Sequence, residues 1–410
     1  MIYELIIRMM VLALRLAALR HPKAKLWVEG RRVFPKAPWA RGSAEVLWVH
    51  VSSLGEFEQG RPFIETFKAQ RPAWKIVLTF FSPSGYEMRK NYPHADLVCY
   101  LPADTRANAR KFLEEMQPSV AVFVKYDFWA NYLSALRDQD TKTLLISAIF
   151  RPSQPFFKWY GGFWRKMLAC FSHVFLQDAA SGELLRGIGF ERFTVAGDTR
   201  ADRVLQIAES SVPNPVLERF AQAAKGAGTL IVGSSWPPDE ALVFGALNRS
   251  GTWPAYLVIA PHDPSEAHVA RVCSMGAAMG ALRYSEAAQM EHWPENARCL
   301  VIDNVGMLNT LYRYGDVAYI GGGFGKGIHN TLEPAAFGLP VIFGPKHQKF
   351  EEAKQMLAKG GAFCINDQET LEKALKHLSG ANARERASEA VRRYLFESRG
   401  ATARILGYLD

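Results

Sequence analysis

Twice along this chain, short apolar runs of strand length alternate with helical stretches, and that alternation limits the fold more than any other feature. In the first series the strand candidates are 46–51, 76–80, 97–100, 120–124, 143–149, 173–176 and 193–195. Helical patterns such as 61–70, 105–116 and 131–137 lie between most of them. A second series runs through 230–233, 255–260, 282–284, 300–302, 317–320, 341–343 and 362–365, and the tail 371–409 reads as two helices. Strands separated by helices cannot pair as hairpins. They predict parallel, doubly wound α/β sheets.

A length of 410 residues also calls for two domains. The stretch 208–228 carries Ser210, Ser211, Pro213, Asn214 and Pro215 before a short polar helix, and reads as an interdomain linker. The expected organisation is a segment 1–32, a Rossmann-like domain 33–207, the linker 208–228 and a second Rossmann-like domain 229–410. Ligands of such sheets bind at the carboxyl ends of the strands. Two domains of this kind facing one another would therefore enclose a cleft.

Composition narrows the partners. Hydrophobic residues make up 49% and charged residues 22%, which suits a globular protein with two cores. The net charge of +9 favours an anionic partner: a nucleotide, a phospholipid surface or a nucleic acid. No RNP run, zinc-finger spacing or dense Lys/Arg tract supports the last, so no nucleic acid polymer is expected. The five cysteines are scattered without a Cys-x-x-Cys, as in a reduced cytosolic protein. Neither a metal cluster nor a cofactor site is expected.

Residues 1–20, MIYELIIRMMVLALRLAALR, are strongly apolar but interrupted by Glu4, Arg8, Arg15 and Arg20. At helical spacing Glu4, Arg8 and Arg15 fall near one line and leave a wide apolar face. A spanning helix wants about 20 apolar residues with few charges, so a helix lying in the membrane interface fits better. Arg20, Lys23, Lys25, Arg31 and Arg32 would strengthen that contact. A signal peptide, a true span and a helix packed on the protein are the rival readings. Arg15 splits the apolar core that a signal peptide would need, and no convincing cleavage site follows.

Within the second series, strand 317–320 runs into a loop with five glycines in seven residues, Gly321 to Gly327. Such a loop lets the backbone approach a ligand and expose its N–H groups. Asn330 then opens a helix whose N-terminus would complete an anion seat. A P-loop requires Gly five residues before Gly325-Lys326, where Ile320 stands, and Ser or Thr after the pair, where Gly327 stands. The dinucleotide pattern Gly-x-Gly-x-x-Gly fails at Lys326 or at Ile328, depending on the starting glycine. The loop serves another kind of phosphate ligand.

Candidate chemistry gathers at strand ends. Glu56 follows Gly55 in the turn after the first strand, where a carboxylate can act as a general base or simply favour a helix N-terminus. Asn330 and Glu333 have the spacing of a capping box; behind this loop they also suit phosphate and ribose hydroxyls, with Gly322, Gly323, Thr331 and Leu332 between or beside them. Arg200 offers a cation for phosphate or carboxylate. Gly233 to Trp236, Pro261-His262-Asp263 and Lys125 to Trp129 end other strands.

Together with their order, the runs Ser53-Leu54-Gly55-Glu56, Ser82-Pro83-Ser84-Gly85, Leu101-Pro102-Ala103-Asp104, Asp127-Phe128-Trp129-Ala130-Asn131, Gly197 to Asp202, Gly306-Met307-Leu308 and His329 to Glu333 carry a family resemblance. Over nearly its whole length the chain resembles bacterial 3-deoxy-D-manno-octulosonic acid (Kdo) transferases. The resemblance implies a GT-B fold, an N-terminal membrane anchor at the cytoplasmic face of the inner membrane, CMP-Kdo as donor and a lipid A precursor (lipid IVA) as acceptor. It implies an inverting, metal-independent reaction with Glu56 as the base. Pro261, His262, Gly306, Met307, Leu308 and Asn330 to Glu333 match the CMP site. This chain has Lys125 where many members have Glu, Arg200 where many have Lys, and His262 where many have Arg. A cation at Lys125 would pair with an anionic sugar, and Arg200 would steady the leaving phosphate. The rival functions are a GT-B enzyme using a UDP-sugar and a catalytically dead membrane scaffold.

Overall fold

A computed structural model of the chain describes residues 2–250 and 253–410. Among the described residues each of two compact units holds a seven-stranded parallel sheet. The first contains β1 (Val46–Val51), β2 (Lys75–Phe80), β3 (Leu97–Tyr100), β4 (Val120–Val124), β5 (Lys142–Ala148), β6 (His173–Leu176) and β7 (Phe193–Val195). Its order is β3-β2-β1-β4-β5-β6-β7. The second contains β8 (Thr229–Ser235), β9 (Tyr256–Pro261), β10 (Ala281–Arg283), β11 (Cys299–Val301), β12 (Val317–Ile320), β13 (Val341–Phe343) and β14 (Ala362–Cys364), ordered β10-β11-β9-β8-β12-β13-β14. The first sheet switches its direction of growth between β1 and β4, and the second between β8 and β12, with β11 inserted between β9 and β10. Those two switch points are where such sheets leave a crevice.

Helices on both faces explain why the strands are apolar throughout rather than alternating. Every residue of β1 is buried. Trp48 joins Phe112, Phe123 and Tyr132 on one face, while Leu47, Val49 and Val51 join Phe57, Phe63 and Phe67 on the other. In the second unit Leu230, Val232, Val317 and Tyr319 centre a comparable core.

The units depart from the boundaries expected above. The first is Met1–Asp202 with Ser398–Asp410, and the second is Arg203–Glu397. The tail forms three helices, Gln368–Ser379, Ala381–Ser398 and Ala401–Gly407. Ala401, Ile405 and Leu406 bury against the β1 face of the first unit, and Asp202 accepts from the Thr402 N–H at 2.7 Å. Apolar burial and this cap return the tail to the first sheet. The expected linker likewise contains the helix Pro215–Ala223, whose Phe220 packs edge-on against Tyr256 and Trp293 of the second unit.

The N-terminal helix α1 (Ile2–Ala17) is followed by α2 (Pro22–Glu29). No helix among the described residues is long and apolar enough to cross a membrane. One edge of α1 is pinned to the first unit. The Tyr3 hydroxyl donates to Asp104 at 2.6 Å, and Glu4 accepts from the Arg106 N–H and from Asn131. Arg31 departs from the outward direction expected of it. Its guanidinium turns inward and donates to the carbonyls of Leu101, Trp27 and Phe81 at 2.7, 3.2 and 2.9 Å.

Candidate active site

The first unit builds a carboxylate pair at its switch point. Helix α3 (Leu54–Gln70) starts directly after β1, with Ser53 in extended backbone as its N-cap and Glu56 completing a capping box. The helix-start reading of Glu56 therefore holds, and it fixes the carboxylate. Glu56 Oε2 accepts from the N–H groups of Ser52 and Ser53 at 2.8 and 2.9 Å and from Ser53 Oγ at 3.2 Å. Oε1 takes part in none of these bonds. On the neighbouring strand end, β4, Asp127 accepts a short bond from Ser52 Oγ. Ser52 thus links both carboxylates, through its N–H and its hydroxyl.

Burial raises the Glu56 carboxyl above the ordinary range, against the Ser52 and Ser53 bonds and the charge of Lys125, which pull it down. Asp127 is raised further, first by burial and then by the negative charge of Glu56. Two interacting carboxyls with different surroundings separate into a proton holder and a base. Lys125 leaves β4 with a left-handed φ of 68°, an uncommon state for a non-glycine residue. Beneath the pair, His50 Nε2 accepts from Trp129 Nε1 at 2.9 Å, so His50 Nδ1 carries the proton toward Thr79 Oγ1 at 2.8 Å. Burial, with Arg31 nearby, lowers His50 to about 3, so the ring is neutral.

A carboxyl whose folded-state pKa exceeds its unfolded value of about 3.9 costs stability once pH passes that value, and costs most above the folded pKa. Asp127→Asn keeps an acceptor for Ser52 Oγ and removes the charge. The variant is expected to melt higher near neutral pH, by roughly 2–4 °C, with the gain vanishing below about pH 4. Melting curves across pH check this.

Arg200 lies at the start of the helix Thr199–Glu209. Its Nε and Nη2 fork onto Asp198, with the shortest bond 2.7 Å. Part of the charge expected for a phosphate is therefore shared with Asp198.

At the second unit's switch point the glycine loop leaves β12 beside the end of β8. Gly322 has φ 90°, and its N–H donates to Asp239 Oδ2 at 2.9 Å. The other Asp239 oxygen accepts from the Tyr319 hydroxyl at 2.8 Å, and Oδ2 also accepts from the Trp236 N–H at 3.0 Å. Asp239 so fastens the loop to the turn after β8. Gly323 lies against Gly344: a Cβ there would meet Gly344 backbone at 2.6 Å.

The helix expected to open at Asn330 is the short Leu332–Ala336, with Thr331 as N-cap. Asn330 Oδ1 accepts from the Leu332 N–H at 3.0 Å, while Asn330 Nδ2 donates to Glu333 Oε1 at 3.0 Å. Asn330 thus caps from the position before the N-cap, rather than as the N-cap of the predicted box, and orients Glu333. Thr331 is buried, and its hydroxyl has no partner.

Gly306, with φ 98°, and Met307 lead into the helix Leu308–Leu311. That helix carries Asn309, whose amide, turned to donate, reaches Glu333 Oε2 at 2.7 Å. Pro261 ends β9, and His262 follows it. His262 lies between Trp236 and His329 in a stack, with centroids 4.5 and 4.6 Å apart.

Sequence reasoning named neither Ser52, Asp127 nor Asn309 as site residues, nor Asp239, Trp236 or His329. Asp127 and Trp236 did stand in strand-end runs, which is the signal that could have raised them. Asn309 and Asp239 carry no pattern of their own.

A family model described as 3-Deoxy-D-manno-octulosonic-acid transferase (kdotransferase) matches residues 27–203. A 3-deoxy-D-manno-octulosonic acid transferase of Bordetella pertussis is 28% identical, covering 94% of this chain and 94% of its own length. The Haemophilus influenzae protein of the same name is 25% identical over 88% of this chain and 86% of its own. Among solved structures, a UDP-GlcNAc 2-epimerase from Neisseria meningitidis superposes with a TM-score of 0.60 at 15% identity, over 89% of this chain and 99% of that one. That likeness bears on the fold, which is the GT-B type with two Rossmann-like halves. Fold and sequence agree: residues 27–203 match the 3-deoxy-D-manno-octulosonic-acid transferase family model, and proteins of that name are similar to the chain over most of its length.

Proposed function

We propose that the protein transfers Kdo from CMP-Kdo to a lipid A precursor, lipid IVA, with inversion and release of CMP. Glu56 Oε1 takes the proton of the acceptor hydroxyl as the hydroxyl oxygen forms its bond to the anomeric carbon. The bond from that carbon to the phosphate oxygen breaks, and CMP leaves with the electron pair. Burial supports this role, since a base whose pKa is raised toward the working pH accepts a proton more readily. The single observation that carries the reading is a partly buried carboxylate held through one oxygen at a sheet switch point, in a chain similar to this family.

In the same reading the second unit holds the donor. Glu333, oriented by Asn330 and Asn309, accepts from ribose hydroxyls. Gly322, Gly323 and the Thr331–Leu332 backbone approach the phosphate. Gly306 to Leu308, Pro261 and His262 complete the nucleotide site. Lys125 meets the anionic sugar and also keeps Glu56 ionised, and Arg200 steadies the leaving phosphate. The reaction belongs at the cytoplasmic face of the inner membrane, with α1 in the interface. Seven apolar residues support that placement: Ile2, Leu5, Ile6, Met9, Leu12, Leu16 and Leu19 are all more than half exposed.

Incubation with CMP-Kdo and lipid IVA, read by mass spectrometry, is expected to yield acceptor carrying added Kdo together with CMP. In a thermal-shift titration CMP is expected to stabilise the protein and UDP is not. Stabilisation by UDP alone, with no Kdo product, would move the assignment to a UDP-sugar enzyme.

A further inference from the structure

Between α1, α2 and the end of β3 the first unit contains a pocket of about 360 Å³. That is within the range of small-ligand sites, roughly 300–1,000 Å³. Arg15, Arg31 and Arg32 line it, and Val11, Val28 and Phe34 contribute apolar wall. Among the described residues none of the three guanidiniums has a salt bridge, and the side chains of Arg15 and Arg32 have no hydrogen-bond partner. Arg31 uses three N–H groups on carbonyls, which leaves two of its five donors. Its guanidinium sits 3.9 Å from the Trp27 ring centroid and 4.8 Å from that of Tyr100.

Burial lowers Arg31 to about 9, and no carboxylate is near enough to restore it. A second observation points to a missing polar partner. Trp27 Nε1, on a side chain more than nine-tenths buried in the pocket wall, has no hydrogen-bond partner among the described residues. A buried donor in that state costs free energy until something pairs with it.

The surroundings say what kind of anion belongs here. Arg15 reaches the pocket from α1 about a quarter-turn around the helix from the centre of its outward apolar stripe, at ~100° per residue, while Val11 lies further round, on the side packed against the unit. The pocket therefore lies at the rim of the one large apolar face that the helix presents to solvent. Near the other end of α1, Tyr3 packs on Phe163 at 5.5 Å, and Phe163 follows Trp159 and Tyr160, which are 93% and 51% exposed. Exposed aromatics beside an apolar helix suit the headgroup level of a bilayer. Arginine forks suit phosphate oxygens.

We propose that this pocket binds the phosphate of an anionic glycerophospholipid, gripped by Arg15 and Arg32 with Arg31 behind them, and so seats α1 at a defined depth in the interface. The inference rests on the membrane reading of α1 above, and it adds a stoichiometric headgroup site to a general apolar attachment.

Two variants separate the pocket from diffuse charge. R15Q/R32Q removes two pocket cations. K23Q/K25Q removes two exposed cations of α2 that do not line the pocket. In calorimetric titration below its micelle concentration, dihexanoyl-phosphatidylglycerol is expected to bind the full chain at one site, and dihexanoyl-phosphatidylcholine far more weakly. R15Q/R32Q is expected to lose at least about tenfold in affinity, since each basic group near a lipid phosphate contributes several-fold. K23Q/K25Q is expected to bind like the parent.

Equal losses in both variants, no binding by the parent, or inorganic phosphate binding as tightly as the lipid would each overturn the pocket. Flotation with phosphatidylcholine vesicles, with and without phosphatidylglycerol, tests the membrane reading separately. If the parent floats but R15Q/R32Q floats equally on anionic vesicles, the pocket fails and the interfacial helix stands. If the parent floats on neither, the interfacial helix fails as well. CMP stabilisation is expected to be unchanged in both variants, which sets a folding defect apart from a lost lipid site.

Discussion

Glu56→Gln is expected to lower kcat by roughly 10²–10⁴-fold, the range for removing a positioned general base, and to leave the donor KM close to the parent value. The substitution is nearly isosteric. Its carbonyl oxygen can keep the bonds from the Ser52 and Ser53 N–H groups that hold the carboxylate now, so the start of α3 stays in place. What disappears is the ability to accept a proton. Steady-state kinetics over pH add a second readout. A base works only when ionised, and burial raises Glu56 above its ordinary value. The parent rate is therefore expected to fall as pH drops through that raised pKa, and the residual rate of Glu56→Gln to lack this limb. A folded Glu56→Ala protein with full activity would sink the assignment.

Gly323→Ala is the second large effect, and its cause is steric. The glycine backbone there is not left-handed; the obstacle is that a Cβ would stand 2.6 Å from both N and Cα of Gly344. Backbone at the end of β13 cannot swing away as a flexible side chain would. Overpacking of this kind costs about 1–3 kcal/mol, or roughly 2–12 °C in a unit of this size. Since Gly323 is a proposed phosphate contact, CMP affinity is expected to fall at least about tenfold, because moving the loop withdraws its N–H groups together. Gly325→Ala provides the contrast. Its nearest added contact is the Gly322 carbonyl at 3.5 Å, an ordinary distance, and the change in stability is expected within about 0.5 kcal/mol. Melting curves and CMP titrations of both variants check the pair. Equal behaviour would show that packing against Gly344 does not set the loop.

Most of the fold was legible in sequence, for a physical reason. Buried parallel strands must be apolar on both faces, so each stood out as a short run between helices, and the observed strands differ from the expected ones by at most two residues at either end. The tail was less legible. Whether Ala401, Ile405 and Leu406 pack on the nearer or the farther sheet depends on which face is left uncovered, and Asp202 supplies the caps from some 200 positions away. Arg31 misled because charge was counted without direction. Three backbone carbonyls and a ring of aromatics draw it inward.

The candidate site divides in the same way. Local sequence determined that Glu56 would start a helix after a strand, that residues 321–327 would form a close-approach loop, and that Asn330 would organise Glu333. These follow from backbone sterics and capping over a few residues. Only the tertiary structure decided that β1 lies beside β4 and β8 beside β12. Strand order is set by how helices cover a twisted sheet, which no local pattern encodes. That order brings Asp127 to Ser52 across 75 positions and Asp239 to Gly322 across 83. It turns a lone carboxylate into a coupled pair, and a glycine run into a fastened loop.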